Sequence, residues 1–273
     1  MPVKHHHELS PSKFPAWLEC SCFESSLEVR KDATEGTKQH AVLEAVLSGD
    51  DSPLEQLEPQ AKDSVRWAAD YISTLAESAK ISSEVRVEYS TLDGFAAKGK
   101  STVFFGTADA LIVKGNLAEL IDFKSGAQVH SHRAQLAGYA LAVFSMRPRL
   151  KTIRCHVLYG RSKEVDAWSL TQADAAGVVI PILEARQNQD RSPSPCEYCS
   201  FCGDRMTCPA LTEQVNTVVK ANEWQDLLPS LREPGTITDP SKMSQALTIA
   251  RSVAIWADAV RKAATNLAKE GAI

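Results

Sequence analysis

Residues 102–124 read TVFFGTADALIVKGNLAELIDFK, and this stretch decides the fold. Its apolar runs at 102–113 and 117–123 are strand-like, and Lys114-Gly115-Asn116 between them is a tight turn, so the two runs pair as neighbouring strands. Side chains two apart on a strand share a face, so Asp122 and Lys124 project together while Phe123 points into the opposite layer. Pairing also sets Asp109 beside Asp122. Two carboxylates and one ammonium then converge at one edge of a sheet. Charges on strands this rich in Phe, Leu, Ile and Val are costly unless they are paired or metal-bound. Two carboxylates suit Mg²⁺ or Mn²⁺, which prefer oxygen ligands and keep waters for substrate. Such an ion activates water and offsets charge on a phosphate, while Lys124 orients or helps deprotonate the attacking water. A D-x-K triplet alone is an ordinary surface pair. Here it closes an apolar strand and follows a paired strand bearing Asp109.

Working outward, Val85, Val87 and Tyr89 alternate with Arg86 and Glu88, which predicts a half-buried strand. Leu92–Ser101 contains Asp93-Gly94 and Gly99 and reads as a hairpin connection. Upstream, Ser10 caps a short helix carrying Phe14, Trp17 and Leu18, with Pro11 in its first position. A second helix begins near Gly36, carries His40, Val42, Leu43 and Val46, and ends at Ser48-Gly49-Asp50. A third covers 58–80. Downstream come a helix at 131–146, strands at 152–160 and 165–169, and a helix at 171–187. This order, helix, three strands, helix, strand, predicts an α/β fold with a mixed sheet flanked by helices. From residue 211 the chain is helical again. Asp239-Pro240 caps a helix with Met243, Leu247, Ala250, Val253, Ala257, Val260, Ala264 and Leu267 at three- and four-residue spacing. The division expected is a domain over 1–210 closed by a cysteine cluster, and a C-terminal helical extension over 211–273 packed on that core. The apolar helix at 241–268 could equally serve another subunit, so the oligomeric state stays open.

The 273 residues, 44% hydrophobic and 23% charged, are those of a cored soluble protein. A net charge of -4 is unlike the strongly basic balance of many nucleic-acid binders, although metal-binding carboxylates add negative charge that bound cations offset. No apolar run reaches membrane length and the start lacks an apolar signal core, so neither a membrane nor export is expected. His5, His6 and His7 read as a solvated terminal tract.

Seven cysteines, an odd number with no export signal, argue against a disulfide framework. Four of them fall in CEYCSFCGDRMTC, residues 196–208. Thiolates so spaced wrap a soft metal centre. One reading is structural Zn²⁺ on Cys196, Cys199, Cys202 and Cys208. The other is a [4Fe–4S] cluster on Cys199, Cys202 and Cys208 with a distant fourth ligand. Cys155, inside an apolar strand, reads as a small core residue.

In this order, GTADALIV (106–113), LIDFKSG (120–126) and QLAGYA (135–140) resemble the PD-(D/E)XK nuclease superfamily, and more narrowly its RecB-like branch of AddB-type, CRISPR-associated and phage-encoded exonucleases. The resemblance runs from Ser10 to Cys208 and implies a restriction-endonuclease-like αβββαβ core. That branch carries a G-x-x-x-H motif, matched by Gly36 and His40, and a Q-x-x-x-Y motif, matched by Gln135 and Tyr139. It implies His40, Asp109 and Asp122 as metal ligands, with Lys124, Gln135 and Tyr139 completing the catalytic set. Glu88 is a further acidic candidate. The branch with an iron–sulfur cluster has one upstream cysteine and then C-x2-C-x5-C, which implies Cys20, Cys199, Cys202 and Cys208 as cluster ligands. Cys22 is an alternative to Cys20, and Cys196 is extra to the pattern. The implied function is metal-dependent hydrolysis of DNA, as an exonuclease on ends or single strands in recombination, repair or phage DNA metabolism. The setting would be the cytoplasm of a bacterial cell or phage-infected host, with a recombination or replication protein as a further partner. Lys98, Lys100, Arg133, Arg147, Arg149 and Arg161 are candidate phosphate contacts. Two alternatives belong to other classes: a non-cleaving DNA-binding scaffold that keeps the nuclease fold, and a zinc protein whose cysteine segment is the partner-binding surface.

Overall fold

A computed structural model describes residues 8–26, 31–91, 101–126, 131–219 and 237–269. The chain divides into two compact units, one of Met1–Leu18 with Glu28–Ala185, the other of Glu19–Leu27 with Arg186–Ile273. Compactness therefore divides the chain at 185/186 rather than at the expected 210/211, and the Cys20 segment joins the second unit. Its backbone accounts for this: Ser25 bridges Cys202, Ser26 N–H donates to Phe201 O at 3.0 Å, and Gly203 N–H donates to Glu24 O at 2.7 Å.

The first unit holds α1 (Phe14–Glu19, whose last residue counts with the second unit), α2 (Lys31–Leu47), α3 (Pro59–Ala76), β1 (Ile81–Thr91), β2 (Ser101–Lys114), β3 (Leu117–Lys124), α4 (Arg133–Met146), β4 (Thr152–Tyr159), β5 (Glu164–Leu170) and α5 (Gln172–Gln187, whose last two residues count with the second unit). The strands form one mixed sheet in the order β1-β2-β3-β4-β5. Only β3 and β4 run parallel, and α4 is the crossover that parallel pairing requires. Lys114 and Leu117 close the β2–β3 pair, with Gly115 at φ 64, a left-handed turn position that favours glycine.

The helices take opposite faces of this sheet. Ala110, Ile112, Ile121, Phe123 and Leu158 pack with Val42 and Leu43 of α2 and with Val65, Ala68 and Ile72 of α3. Side chains of the other parity on β2 and β3 turn towards α4, whose residues Ala134 to Phe144 are buried on every side. Phe14 of α1 stands edge-on to Phe104 of β2, with ring centroids 5.3 Å apart, and it lies so close over Gly138 that a Cβ there would come within 2.7 Å of its ring.

Several boundaries differ from the sequence expectation. Helix α2 begins at Lys31, ahead of Gly36, and β1 starts at Ile81, so α3 stops at Ala76 instead of running to 80. The cap of α3, Glu77, has φ 54 and ends the helix. Ser10 makes no side-chain cap bond, and its hydroxyl meets Ser12 at 3.1 Å. The connection at 92–100, with Lys98 and Lys100, and the histidines at 5–7 lie outside the described residues.

Two buried acids share β3. Glu119, 2% exposed, holds Arg154 at 3.2 Å and His156 Nε2 at 2.9 Å, and His156 Nδ1 in turn meets the Tyr71 hydroxyl of α3 at 3.0 Å. The other acid is Asp122.

The second unit carries α6 (Pro209–Val219) and α7 (Pro240–Lys269), which pack together, and two 3-10 turns over Glu197–Phe201 and Gly203–Met206.

Candidate functional site

Register places the acids. Ala110 pairs with Ile121, so Asp109 and Asp122 are the next opposed positions of β2 and β3. On the other side, Ser83 pairs with Ala110 and Val85 with Ala108, which sets Glu84 of β1 opposite Asp109. One acid per strand thus stands in a row across three strands.

The β2–β3 ladder stops at this row, and a side chain takes over its bonding. Phe123 N–H donates to Asp109 Oδ2 at 2.6 Å, and Asp109 Oδ1 lies 2.8 Å from His40 Nδ1 of α2. Burial disfavours a charged imidazole, but the hydrogen bond and charge of Asp109, with Asp122 adding, raise the His40 pKa overall. Asp122, 3% exposed, accepts from Gln135 Nε2 at 3.1 Å. Its Oδ2 is 2.9 Å from Lys124 Nζ, yet no hydrogen bond with acceptable geometry reaches that buried oxygen. Gln135 also bonds the Tyr139 hydroxyl at 3.1 Å and accepts from Lys124 at 3.2 Å. Burial, followed by the charge of Asp122, holds the Tyr139 phenol protonated far above its ordinary range. The Tyr139 ring sits where a Cβ on Gly106 would be, 2.7 Å from that position, which gives the glycine of GTADALIV a steric reason.

All six residues named for this centre from sequence, His40, Asp109, Asp122, Lys124, Gln135 and Tyr139, are therefore brought together. Glu88 is not with them: its carboxylate accepts from Thr102 and from Ser90, the latter at 3.3 Å. The acid that does join is Glu84, which the sequence reading missed. Ligand atoms of His40, Glu84 and Asp109 all lie within 4.8 Å of one another. No spacing rule could find it, because the long connection from β1 to β2 leaves their register unset, and that register shifts again between Tyr89 and Ser90. Among the phosphate candidates, Arg133 is committed to Asp166, at 2.7 and 3.1 Å, and lies over the Trp168 ring.

In the second unit, six cysteines line one cavity of about 290 Å³: Cys20, Cys22, Cys196, Cys199, Cys202 and Cys208. Cys20 Sγ accepts the Ser194 N–H at 3.4 Å and Cys199 Sγ accepts the Cys196 N–H at 3.2 Å, the kind of bond that steadies a thiolate. Cys22 instead donates its thiol to Arg191 O at 3.6 Å. Hydrogen bonding between the two side chains lowers the Cys199 pKa and raises that of Cys196, so Cys199 is the readier thiolate of the pair. Among the described residues, which include every cysteine, no three sulfurs come within 4.8 Å of one another. A tetrahedral Zn²⁺ with bonds of about 2.3 Å would draw its sulfurs to about 3.8 Å apart. Cys155 lies alone in β4, its thiol pKa raised by burial.

A family described as "Protein of unknown function (DUF2800)" matches residues 6–273. This chain belongs to the DUF2800 family. The DUF2800 match spans both units, so the acid row and the thiol-lined cavity both fall within it. A solved structure titled "Crystal structure of SSO0001" is 16% identical to this DUF2800 chain, covering 67% of it and 90% of that chain at a TM-score of 0.36. That overlap is too loose to carry fold or function across. Among its described residues, this DUF2800 protein has no helix long and apolar enough to cross a membrane.

Proposed function

We propose that this DUF2800 protein is a divalent-cation-dependent DNA nuclease of the PD-(D/E)XK type, built on a restriction-endonuclease-like core of the RecB-like branch. The observation that carries this reading is the opposition of Asp109 and Asp122 on paired strands, with Lys124 Nζ 2.9 Å from Asp122 and His40 2.8 Å from Asp109. The donor set fits a cation: two carboxylates, an imidazole, and a buried Asp122 oxygen without a hydrogen bond. His40, Asp109 and Asp122 would hold Mg²⁺ or Mn²⁺. When bound, the ion acidifies a water and offsets charge on the scissile phosphate. The rest falls to the chain's own groups. Asp109 is fixed by the Phe123 amide, and Gln135 clamps Asp122 and Lys124 at once. The Lys124 ammonium balances negative charge developing on phosphate, and Tyr139, kept protonated, remains a neutral hydrogen-bonding group.

DNA ends or single strands would be the substrate, in recombination, repair or phage DNA metabolism in the cytoplasm of a bacterial or phage-infected cell. Cys20, Cys199, Cys202 and Cys208 would hold a [4Fe–4S] cluster as a structural staple. The sulfurs' spread around a cavity favours that over Zn²⁺ on Cys196, Cys199, Cys202 and Cys208, and the bond from Cys22 to Arg191 favours Cys20 as the upstream ligand.

The test is an end-labelled DNA digest with Mn²⁺ comparing the wild type, Asp122→Ala and Lys124→Ala. Products that shorten from one end in the wild type and vanish in both variants are expected. Equal activity in the variants would remove the site assignment, and DNA binding without cleavage by the wild type would establish the scaffold reading instead. Iron and zinc content of anaerobically purified protein decides the cluster.

A further inference from the structure

Glu84 belongs to no motif in the sequence, yet the fold delivers it to the centre. It stands opposite Asp109 in the β1–β2 register, and its φ of 46 is a left-handed conformation that a non-glycine residue rarely adopts inside a strand. Neighbouring pairs form on both sides of it, at Ser83 and at Val85, so the departure is confined to the one residue facing Asp109.

The donor set points the same way. The Lys124 ammonium is already 2.9 Å from Asp122, on the β3 side. On the β1 side, two carboxylates and one imidazole nitrogen face one another within 4.8 Å. Two carboxylate oxygens and an imidazole nitrogen, delivered by three separate elements, are the mixed donor set that a divalent transition ion takes. On the next strand, Asp122 Oδ2 is fully buried, 2.9 Å from Lys124 Nζ and without a hydrogen bond of acceptable geometry.

We propose that Glu84 is a protein ligand of the divalent cation, shared with His40 and Asp109, so that the ion's site opens towards β1 while Lys124 serves the β3 side. This rests on the cation-dependent reading above and deepens it. A nitrogen among the ligands also tilts the site towards Mn²⁺ over Mg²⁺, because imidazole suits transition ions better than it suits magnesium.

The experiment is Mn²⁺ titration of the full chain, followed by electron paramagnetic resonance of the free ion, for the wild type, Glu84→Gln, Glu84→Gly and Glu88→Gln, with Mg²⁺ competition on the wild type. Glycine tolerates the left-handed backbone, so Glu84→Gly keeps the test open should the glutamine variant fold poorly. Both Glu84 variants are expected to bind Mn²⁺ roughly tenfold or more weakly, judged from what loss of supporting groups already costs a metal site. Glu88→Gln should match the wild type. Wild-type affinity in Glu84→Gly, or in a folded Glu84→Gln, would overturn the proposal while leaving the cation reading intact. Absence of Mn²⁺ binding by the wild type would overturn both.

Discussion

At the acid row the chemical groups come from five separate elements: His40 from α2, Glu84 from β1, Asp109 from β2, Asp122 and Lys124 from β3, Gln135 and Tyr139 from α4. At the thiol-lined cavity four of the six cysteines come from residues 196–208, and the other two from a single short segment. The first site is a product of strand register and helix docking, and nothing short of the folded sheet assembles it. The second is mostly written in local turns, with the Ser25–Cys202 bridge and the bonds beside it tying in the Cys20 segment. A site made by register is sensitive to anything that moves a strand. A site made by turns is sensitive chiefly to its own ligands.

That contrast can be broken or sharpened by experiment. The largest effect expected is at Cys199: Cys199→Ala should abolish bound iron, whereas Cys22→Ala should leave it near the wild-type level, as read by metal analysis and visible absorption. Iron unchanged in Cys199→Ala would break the contrast at its thiol end. Next, Lys124→Ala should lower the cleavage rate by about 10²- to 10⁴-fold while iron content stays constant. A parallel loss of iron would mean the two sites are not separable. Third, Glu119→Ala should destabilise the chain by about 1–3 kcal/mol in urea unfolding, since it leaves the buried His156 Nε2 without its partner, while the half-exposed Arg154 can turn to water. Fourth, Gly138→Ala should cost about 1–3 kcal/mol by forcing a methyl into the Phe14 ring. Because α4 carries Gln135 and Tyr139, the rate should fall with it.

The smallest effect expected is a pH dependence. Burial depresses the His156 pKa below its ordinary value, more than Glu119 restores it. The unfolded chain then binds the proton more readily, so the contribution of His156 to stability is complete above about pH 6.5 and is lost as pH falls below that value. Unfolding midpoints of the wild type should therefore drop more than those of His156→Gln on moving from neutral to mildly acidic pH. Parallel curves would dismiss the effect.

Legibility in the sequence follows the same division. The turn at Lys114–Asn116 fixes the β2–β3 register, so the meeting of Asp109, Asp122 and Lys124 could be read from spacing alone. Gln135 and Tyr139 share a helix face four residues apart, but that α4 is buried all round comes from tertiary packing, Phe14 over Gly138 included, which helical spacing does not encode. Glu84 was illegible because register across a long connection has no local signature, and the alternation of β1 drew attention to Glu88 instead. The cysteine segment announced itself by clustering. That Cys20 and its neighbours form one compact unit with it followed from backbone bonds between segments far apart in sequence, which no local pattern encodes.

The two buried acids of β3 carry a consequence for folding. Glu119 and Asp122 point to opposite faces of one strand, and each has partners waiting on its own side only: Arg154 and His156 for one, Gln135 and Lys124 for the other. Sliding that strand by a single position would turn both carboxylates into the wrong, apolar layer at the same time, each at a desolvation cost on the order of several kcal/mol. Misaligned chains are thereby penalised twice over, and the acid row has one alignment in which it can form.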